Sequence, residues 1–281
     1  MSIRIRALLP IIGLALVARA PIHAQPSREV PSFEVVSIKP RGGVIPPGFP
    51  PQAPDRFVRP DTTVSQLIAY AYEVRDFQIE GGPGWLRSNH YEVSAKAERA
   101  ASADTMRLMV KRLLEERFGL KAHTETRELT TYALVTARRD KKLGEKMRPS
   151  SIDCQPIIDA GGVKPVLGGV PARCAWFIAM MNGLARMKVD GIRMARFAEL
   201  LEPMAMRTIA DKTGLSGTYD IDLEFLPDRG LPPVPAGGAP QAQEAPSLFT
   251  ALQDQLGLKL ESERGPVKVI VIDGAEAPAP N

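Results

Sequence analysis

A row of carboxylates in one strand-like segment is the first candidate for chemistry. In YDIDLEF, Asp220, Asp222 and Glu224 alternate with apolar residues, so they share one face of a predicted strand. Such a row could bind a hard cation such as Ca²⁺. A polar face turned to water has the same alternation, and we favour that interpretation because the opposite face is uniformly apolar.

Carboxylates also support an alternative hypothesis, a hydrolase that works without histidine. Two carboxyl groups can act as acid and base, and Asp211, Asp220 or Glu224 near Tyr219 could take these roles. The HExxH, GxSxG and SxxK patterns are absent from the sequence. Only two histidines follow residue 24, too few for a three-histidine zinc site. We therefore assign no catalytic residue, metal or cofactor, and expect the protein not to be an enzyme.

Five residues with aromatic or imidazole rings are the candidates for binding a ligand. They are Trp85, His90, Tyr91, Trp176 and Tyr219. Such rings can stack on a ligand, although a tryptophan at a turn or in an apolar strand more often anchors a core. The nearby GGPGWL lacks the spacing of nucleotide-binding loops, so it predicts a turn.

The chain has only two cysteines, Cys154 and Cys174. In an exported protein such a pair predicts one disulfide, which would stabilise the fold by about 3 kcal/mol. The alternative, a redox or metal-binding pair, is disfavoured because the spacing is not CxxC.

One phrase occurs twice along the chain, as LLEERFGLKAH in residues 113–123 and as ALQDQLGLKLE in residues 251–261. Gly119 and Gly257 each follow an amphipathic segment and can adopt the left-handed conformation that ends a helix. The phrase is therefore interpreted as a helix terminator that leads into a strand. Three further blocks match in the same order: 55–67 with 185–197, 79–85 with 209–215, and 89–97 with 217–225.

The elements of the two copies follow from hydrophobic periodicity. VSQLIAYAY, MARFAELLEPMA, TMRLMVKRLLEERF and SLFTALQDQL have helical spacing, with Ser102 or Asp104 and Ser247 as N-caps. YEVSAKA and YDIDLEF alternate as strands, and LKAHTET followed by TTYALVT predicts a hairpin, as does LKLESE followed by VKVIVID. FEVVSIK and CAWFIAM add one strand before each copy. We expect the copies to pack on each other through apolar faces.

The predicted fold is α+β. It is a tandem duplication of a β-α-β-α-β-β module, with mixed sheets, helices packed on one face and Pro-rich loops. We place the first module at residues 25–140, a connector at 141–172 and the second module at 173–281. A low-complexity insertion at 226–246 interrupts the second module, since its Pro, Gly and Gln content cannot build a core.

Residues 1–24 predict a secretory signal peptide. Arg4 and Arg6 precede a short apolar run, and Ala24 is a small residue at which signal peptidase could cut; an uncleaved anchor is the alternative. The formal net charge is +4, and the leader carries three arginines and no acid, so the mature chain carries +1. Nucleic acid is therefore excluded as an expected partner, and no stable membrane span is expected after cleavage.

The motifs FEVVSIKP, IEGGPGWL, LLEERFGLKAHTETRE and DKTGLSGTYDIDLEF resemble a known family over most of the mature chain. It is the soil-associated, Solibacter-type family of exported proteins from Acidobacteria, domain of unknown function 3738. The resemblance implies a place in the cell envelope and a role in sensing, because the family's domain sometimes follows a BlaR-type membrane metallopeptidase. It implies no catalytic residues.

These observations together predict a periplasmic or secreted protein that binds rather than catalyses. The expected partner is a small molecule, a glycan or an envelope protein. Two alternatives stay open: the carboxylate-based hydrolase, and a structural envelope protein that associates with itself through exposed sheet edges.

Overall fold

A computed structural model describes residues 31–41, 53–159, 174, 176–181, 184–227 and 245–278. The predicted signal peptide, residues 1–24, lies outside the described residues. So do residues 160–172 of the predicted connector and 228–244 of the predicted insertion. Helices, two antiparallel sheets and one mixed sheet occur in the described part, which confirms the α+β class.

The first half of the chain forms an antiparallel sheet covered by two helices. The elements of the first half are β1 Val35–Pro40, β2 Arg56–Thr63, α1 Val64–Tyr72, β3 Ile79–Gly81, α2 Trp85–Ser88, β4 His90–Lys96, α3 Ala103–Phe118 and β5 Lys121–Thr136. The sheet has the order β1-β4-β2. Alternate residues of β4 are buried under α1 and α3, whereas its other face is exposed. The alternation in YEVSAKA therefore sets which face the helices cover.

The second half repeats much of this arrangement. Its elements are β6 Met147–Pro149, α4 Gln155–Asp159, β7 Trp176–Met181, β8 Leu184–Ile192, α5 Met194–Ala205, β9 Ile209–Asp211, β10 Tyr219–Phe225, α6 Leu248–Ala251 with a following π turn Leu252–Leu256, and β11 Leu258–Gly274. The sheet has the order β6-β10-β8-β7. From β2 to β5 and from β8 to β11, the order of strands and helices is the same, apart from the one-turn helix α2 and a 3-10 turn at Asp76–Gln78 in the first half.

The helix ends follow the local chemistry of the sequence. Ser102 and Ser247 cap α3 and α6 through side-chain oxygens that accept from backbone N–H groups. Gly119 and Gly257 lie just past the two helices with φ of 52° and 70°, so both predicted terminators are confirmed. At Gly257, an added Cβ would also lie 2.7 Å from the Lys142 carbonyl oxygen.

The two predicted hairpins are wrong, because β5 and β11 each run straight through the predicted turn. The two long strands, which we call the central ribbon, pair with each other in antiparallel fashion along their whole length, and Glu128 opposite Pro266 marks the midpoint of the ribbon. A residue pattern of period two continues unchanged whether a strand folds back or goes on, and β-branched residues such as Thr124 and Thr126 favour going on.

The short strands are exchanged between the halves. Ile79 of β3 pairs in parallel with Ile270 of β11, and Ile209 of β9 pairs in parallel with Tyr132 of β5. Tyr132 and Ile270 lie equally far beyond the ribbon midpoint on their strands, so the pairing is reciprocal. The central sheet has the order β3-β11-β5-β9. Main-chain pairing thus joins the halves, which the expected packing of apolar faces did not include.

Each half also contributes to the hydrophobic core of the other. The first core contains Ile270 and Ile272 of β11 beside the residues of α1, α3 and the first sheet. The second core contains Leu134 of β5. The two cores are therefore completed only when the central ribbon forms.

The strand β6 lies inside the predicted connector and has the place in the second sheet that β1 has in the first. Pro40 is paired with Tyr91, and Pro149 is paired with Tyr219 at the matching position of β10. The predicted extra strand of the second copy does form, as β7, but it pairs with β8 at the opposite edge. The match between the IKP end of β1 and the MRP of β6 is too short to be detected by sequence alone.

Cys154 and Cys174 form a disulfide with their Cα atoms 5.2 Å apart, which confirms the predicted pair. The Cys154 N–H donates to the Gly191 carbonyl at 3.0 Å, so the bridge is anchored on β8. Gly191 has φ of 61°, and an added Cβ would lie 2.7 Å from the Ile152 carbonyl oxygen. Only glycine fits there without a shift of the backbone.

Candidate functional site

Two of the five predicted ligand-binding residues are core residues. Tyr91 and Tyr219 occupy matching positions on β4 and β10, with 4% and 7% exposure, in two different cores. The Tyr91 ring meets Phe118 edge-on with 5.7 Å between ring centroids. The Tyr219 hydroxyl donates to the Ser216 carbonyl at 3.0 Å. Because they lie in separate cores, the two tyrosines do not share a pocket.

The other three predicted binding residues are dispersed as well. Trp85 packs, half-buried, against the first core. His90 is exposed, with its Nδ1 atom 2.6 Å from Asp61 Oδ1. Trp176 lies on β7, and its side chain is outside the described residues. The structure does not gather the five residues at one place, because only Trp85, His90 and Tyr91 are neighbours along the chain. A ligand-binding role for each of them stays a prediction.

The predicted carboxylate row lies on the open face of the second sheet, where basic residues pair with it. Arg186 donates to both carboxylate oxygens of Asp222 at 3.0 and 2.6 Å. Lys146 lies 3.1 Å from Glu224, and Arg148 donates to Asp220 at 3.2 Å. The row borders a depression of about 320 Å³. Among the described residues, no cluster of acidic, histidine and cysteine side chains is arranged to bind a metal ion.

Electrostatics keeps two of these carboxylates ionised. The hydrogen bonds from Arg186 lower the pKa of Asp222. Burial acts to raise the pKa of Asp220, but hydrogen bonds from Ser150, the Gly191 N–H and Arg148 outweigh it and leave that pKa lowered. Asp190, in the same depression, has a pKa raised by burial.

The residues of the hydrolase hypothesis are not brought together as predicted. Asp211 lies on β9 in the central sheet, where its carboxylate accepts from Thr213. The Tyr219 side chain points into the core, away from the Asp220 and Glu224 face. Only Asp220, of the three proposed carboxylates, lines the depression.

A larger cleft, about 870 Å³, lies between the two halves. We call it the axial cleft and define it by residues from the ends of α1 and α5 and from the segments before β3 and β9: Tyr70, Arg75, Gln78, Arg196, Glu202 and Thr208. Gln78 and Thr208 directly precede the reciprocally paired strands β3 and β9. The cleft therefore lies at the centre of the reciprocal arrangement.

One ion pair crosses the axial cleft from the first half to the second. Arg75 Nε lies 2.9 Å from Glu202 Oε2, and Arg75 Nη2 donates to the Glu199 carbonyl at 3.1 Å. Glu202 Oε1 also accepts from the Ile209 N–H at 3.3 Å. The side chain of Glu202 is only 11% exposed. The bridge ties the first half to both α5 and the first residue of β9.

The charges in the wall of the cleft are balanced and paired. Arg107 lies 2.9 Å from Glu73, and Arg196 pairs with Glu199. Together with Arg75 and Glu202, the wall holds three arginines and three glutamates. The cleft is therefore strongly polar without a net charge.

Two buried atoms in this wall, Arg196 Nε and Thr208 Oγ1, have no hydrogen-bond partner among the described residues. A buried polar atom without a partner costs about 1–3 kcal/mol, so native proteins hold few of them. Both atoms belong to residues that line one cleft, so an occupant with hydrogen-bonding groups that shifts these side chains slightly would remove their cost.

A hollow of about 250 Å³ adjoins the cleft, Thr208 lines both, and Thr130 and Arg207 also line the hollow. Phe77, Leu129, Met206 and Val267 form its apolar wall. Leu129 and Val267 stand next to the paired midpoint of the ribbon, so this hollow also lies on the centre line. Met206 is 51% exposed.

The sequence contains one signal for this cleft that residue-type reasoning missed. In MARFAELLEPMA, Met194, Ala198 and Leu201 lie on the buried stripe of α5, and Glu202 falls on the same stripe. A charged residue on a buried helix face requires a partner. That partner, Arg75, lies far away in the sequence and could not be assigned without the fold.

Fold and site together define an α+β protein of two interlocked halves with a polar cleft between them. The chain belongs to the DUF3738 family, described as a protein of unknown function, which matches residues 65–275. The match extends from α1 to the end of β11, so it includes both halves and the cleft. No curated protein and no solved structure matches the chain. Within the described residues, no helix has both the length and the apolar character needed to span a bilayer.

Proposed function

We propose that this protein is an exported binding module of the cell envelope that holds a ligand in the axial cleft and catalyses no reaction. The observation that carries the proposal is the pair of unpartnered buried atoms, Arg196 Nε and Thr208 Oγ1, in the wall of one cleft. Export is supported by the leader-like residues 1–24 and by the disulfide, since disulfides persist in oxidising compartments.

The position of the cleft suits a sensing role. Its walls come from both halves, and Arg75 and Glu202 join them directly. A ligand that contacts both walls stabilises the arrangement in which they face each other. Occupancy then changes how firmly the two halves are held together, which a partner protein in the envelope can detect.

We further propose that the two halves descend from one duplicated unit. The repeated element order, the reciprocal pairing of β3 and β9, and the equivalent positions of β1 and β6 support this. The proposal explains why the cleft lies at the centre, since both copies contribute the same turn to it. Failure of residues 56–136 and 184–274 to superpose would count against it.

The binding proposal is tested with the protein exported through its own leader. Isothermal calorimetry against cell-wall fragments, glycans and small metabolites should identify a ligand. Thr208→Val should weaken its binding by about fivefold, because one hydrogen bond contributes 0.5–1.5 kcal/mol. Thr126→Val, on an exposed strand position of β5, is the matched control and should bind normally. Equal effects of both substitutions would place the ligand elsewhere.

A second candidate, a carboxylate-based hydrolase, is favoured by one observation in the depression on the second sheet. Asp190 has a raised pKa and Asp220 a lowered one, and the two carboxyl groups line the same depression. Acid and base catalysis uses carboxyl groups whose pKa values are separated in this way. If a hydrolytic activity is detected, Asp190→Asn should abolish it, and activity that survives this change would exclude the candidate.

A further inference from the structure

The axial cleft offers hydrogen-bond donors and acceptors side by side. Each of its three arginines is paired with a glutamate: Arg75 with Glu202, Arg107 with Glu73, and Arg196 with Glu199. An anionic ligand in this wall would lie beside three built-in carboxylates, and a cationic ligand would lie beside three arginines. A charged ligand therefore meets repulsion from groups of its own sign, and this repulsion is stronger in a partly buried wall than in water.

A hydroxyl group can hydrogen-bond to an arginine and to a glutamate without separating the ion pair that they form. It donates one hydrogen bond and accepts others, whereas a guanidinium only donates and a carboxylate only accepts. Neighbouring hydroxyls on one ligand can therefore donate to a glutamate and accept from the arginine beside it. The unpartnered Arg196 Nε supplies a donor, and the Thr208 hydroxyl can serve in either sense.

Apolar and aromatic surfaces accompany these polar groups. Tyr70 lines the cleft. The centroid of its ring lies 5.1 Å from the centroid of the Phe57 ring and 5.4 Å from Arg59 Cζ. Burial raises the pKa of Tyr70, so its hydroxyl keeps its proton and remains a donor. In the adjoining hollow, Phe77 and Met206 offer an apolar surface. A ring that carries hydroxyls at its edge and C–H groups on its faces matches both surfaces.

We propose that the axial cleft binds a neutral oligosaccharide. The sugar hydroxyls meet the paired arginines and glutamates and Thr208, and an apolar sugar face lies on Phe77 and Met206. An oligosaccharide rather than a single sugar is assigned because the cleft and the hollow share Thr208 as a lining residue, so that an extended ligand can reach both. The assignment rests on the proposed binding function and names the chemical class of its ligand.

The test is a calorimetric titration of the exported full chain with oligosaccharides of equal length. The neutral arm contains cello-, malto-, xylo- and N-acetylated chito-oligosaccharides. The cationic arm is the deacetylated chito-oligosaccharide, and the anionic arm is the oligogalacturonate. We expect at least one neutral compound to bind, and its charged counterpart to bind about tenfold more weakly or not at all.

Two pairs of variants locate the binding. Thr208→Val and Met206→Ser should each weaken the neutral ligand about fivefold, whereas their controls, Thr126→Val and Leu108→Ser, should not. Leu108 is an exposed apolar residue of α3 outside the cleft. Thr208→Val removes a buried hydroxyl without a partner, so it should keep or raise the melting temperature while it weakens binding. The melting temperature thereby distinguishes binding that is lost through unfolding from binding that is lost because the hydroxyl is missing.

The outcomes separate this inference from the proposed function. If only a charged oligosaccharide binds, or if neutral binding is unaffected by both cleft variants, the neutral-sugar assignment is overturned. If a ligand of another class binds and is weakened by Thr208→Val, the binding function stands and the sugar assignment fails. If no compound of any class binds, both proposals fall.

Discussion

Arg75 and Glu202 form an ion pair at 2.9 Å across the boundary between the two halves of the molecule. Glu202 lies on the buried stripe of α5, and its second carboxylate oxygen accepts from the Ile209 N–H. A carboxylate so placed is both a tie between the halves and part of the wall of the cleft. This double role makes the pair the most direct point at which to perturb the fold and the site together.

Removal of the Glu202 carboxylate should destabilise the protein. Glu202→Ala leaves Arg75 without its acidic partner and the Ile209 N–H without its acceptor, so we expect the free energy of unfolding to fall by about 2–4 kcal/mol. Urea denaturation measures this change. Glu116→Ala is the control, because Glu116 pairs with Arg112 on the exposed face of α3 and should cost under about 0.5 kcal/mol. Equal losses in the two variants would show that the cross-half pair is not a structural tie.

His123 should make the central ribbon more stable in mildly acidic solution. Hydrogen bonds to Asp273 on β11 and then to Glu125 raise the pKa of His123. A histidine whose pKa is higher in the folded state stabilises the fold below its unfolded value of about 6.5. That contribution is lost as the pH rises through the folded value.

Substitution of His123 tests this pH dependence. The difference in melting temperature between the wild-type protein and His123→Gln should be largest near pH 5.5 and should shrink towards about pH 8.5. Asp273→Asn should reduce the same pH dependence, because it removes the first of the two acceptors. A difference that is constant over this range would refute the assignment of the proton to His123.

Gly191 should tolerate no side chain. Gly191→Ala places a Cβ 2.7 Å from the Ile152 carbonyl oxygen and 2.8 Å from Cys154 Sγ, in a left-handed backbone conformation. We expect a loss of stability of about 2–4 kcal/mol from the combined strain and clash. Gly217→Ala provides the control, because Gly217 is also left-handed but a Cβ there meets open space. Its smaller loss, about 1 kcal/mol, measures the backbone term alone.

Ile270 belongs to the second half of the chain but should stabilise the first half. It lies on β11, yet it is fully buried in the first core. Ile270→Ala should lower the free energy of unfolding by about 2–4 kcal/mol. In hydrogen exchange, protection should be lost first in α1 and α3. Leu223→Ala, in β10 and the second core, is the control and should affect α5 first. The reverse order of exchange would contradict the exchanged-strand arrangement.

Several elements of the fold were predictable from the residues themselves. The helices Val64–Tyr72 and Met194–Ala205 match the predicted segments, as do strands β4 and β10 to within one residue. The disulfide follows from there being only two cysteines. These features depend on interactions between residues a few positions apart, or on composition, and a sequence displays both directly.

The site was not predictable in the same way. Residue type alone favours the rare aromatic residues as ligand contacts, but Tyr91 and Tyr219 fill the cores. The cleft is built instead from common residues such as Arg75 and Thr208, whose importance depends on what stands opposite them.

The sequence by itself determined the class of fold, the caps and ends of the longer helices, and the faces that its strands bury. Only the tertiary structure decided that β5 and β11 continue without a turn, that β3 and β9 exchange partners, and that Arg75 meets Glu202. The physical reason is that an alternating strand specifies which side chains turn inward but not which distant backbone accepts its hydrogen bonds. That choice is made by the whole chain at once, when both cores close over the same pair of strands.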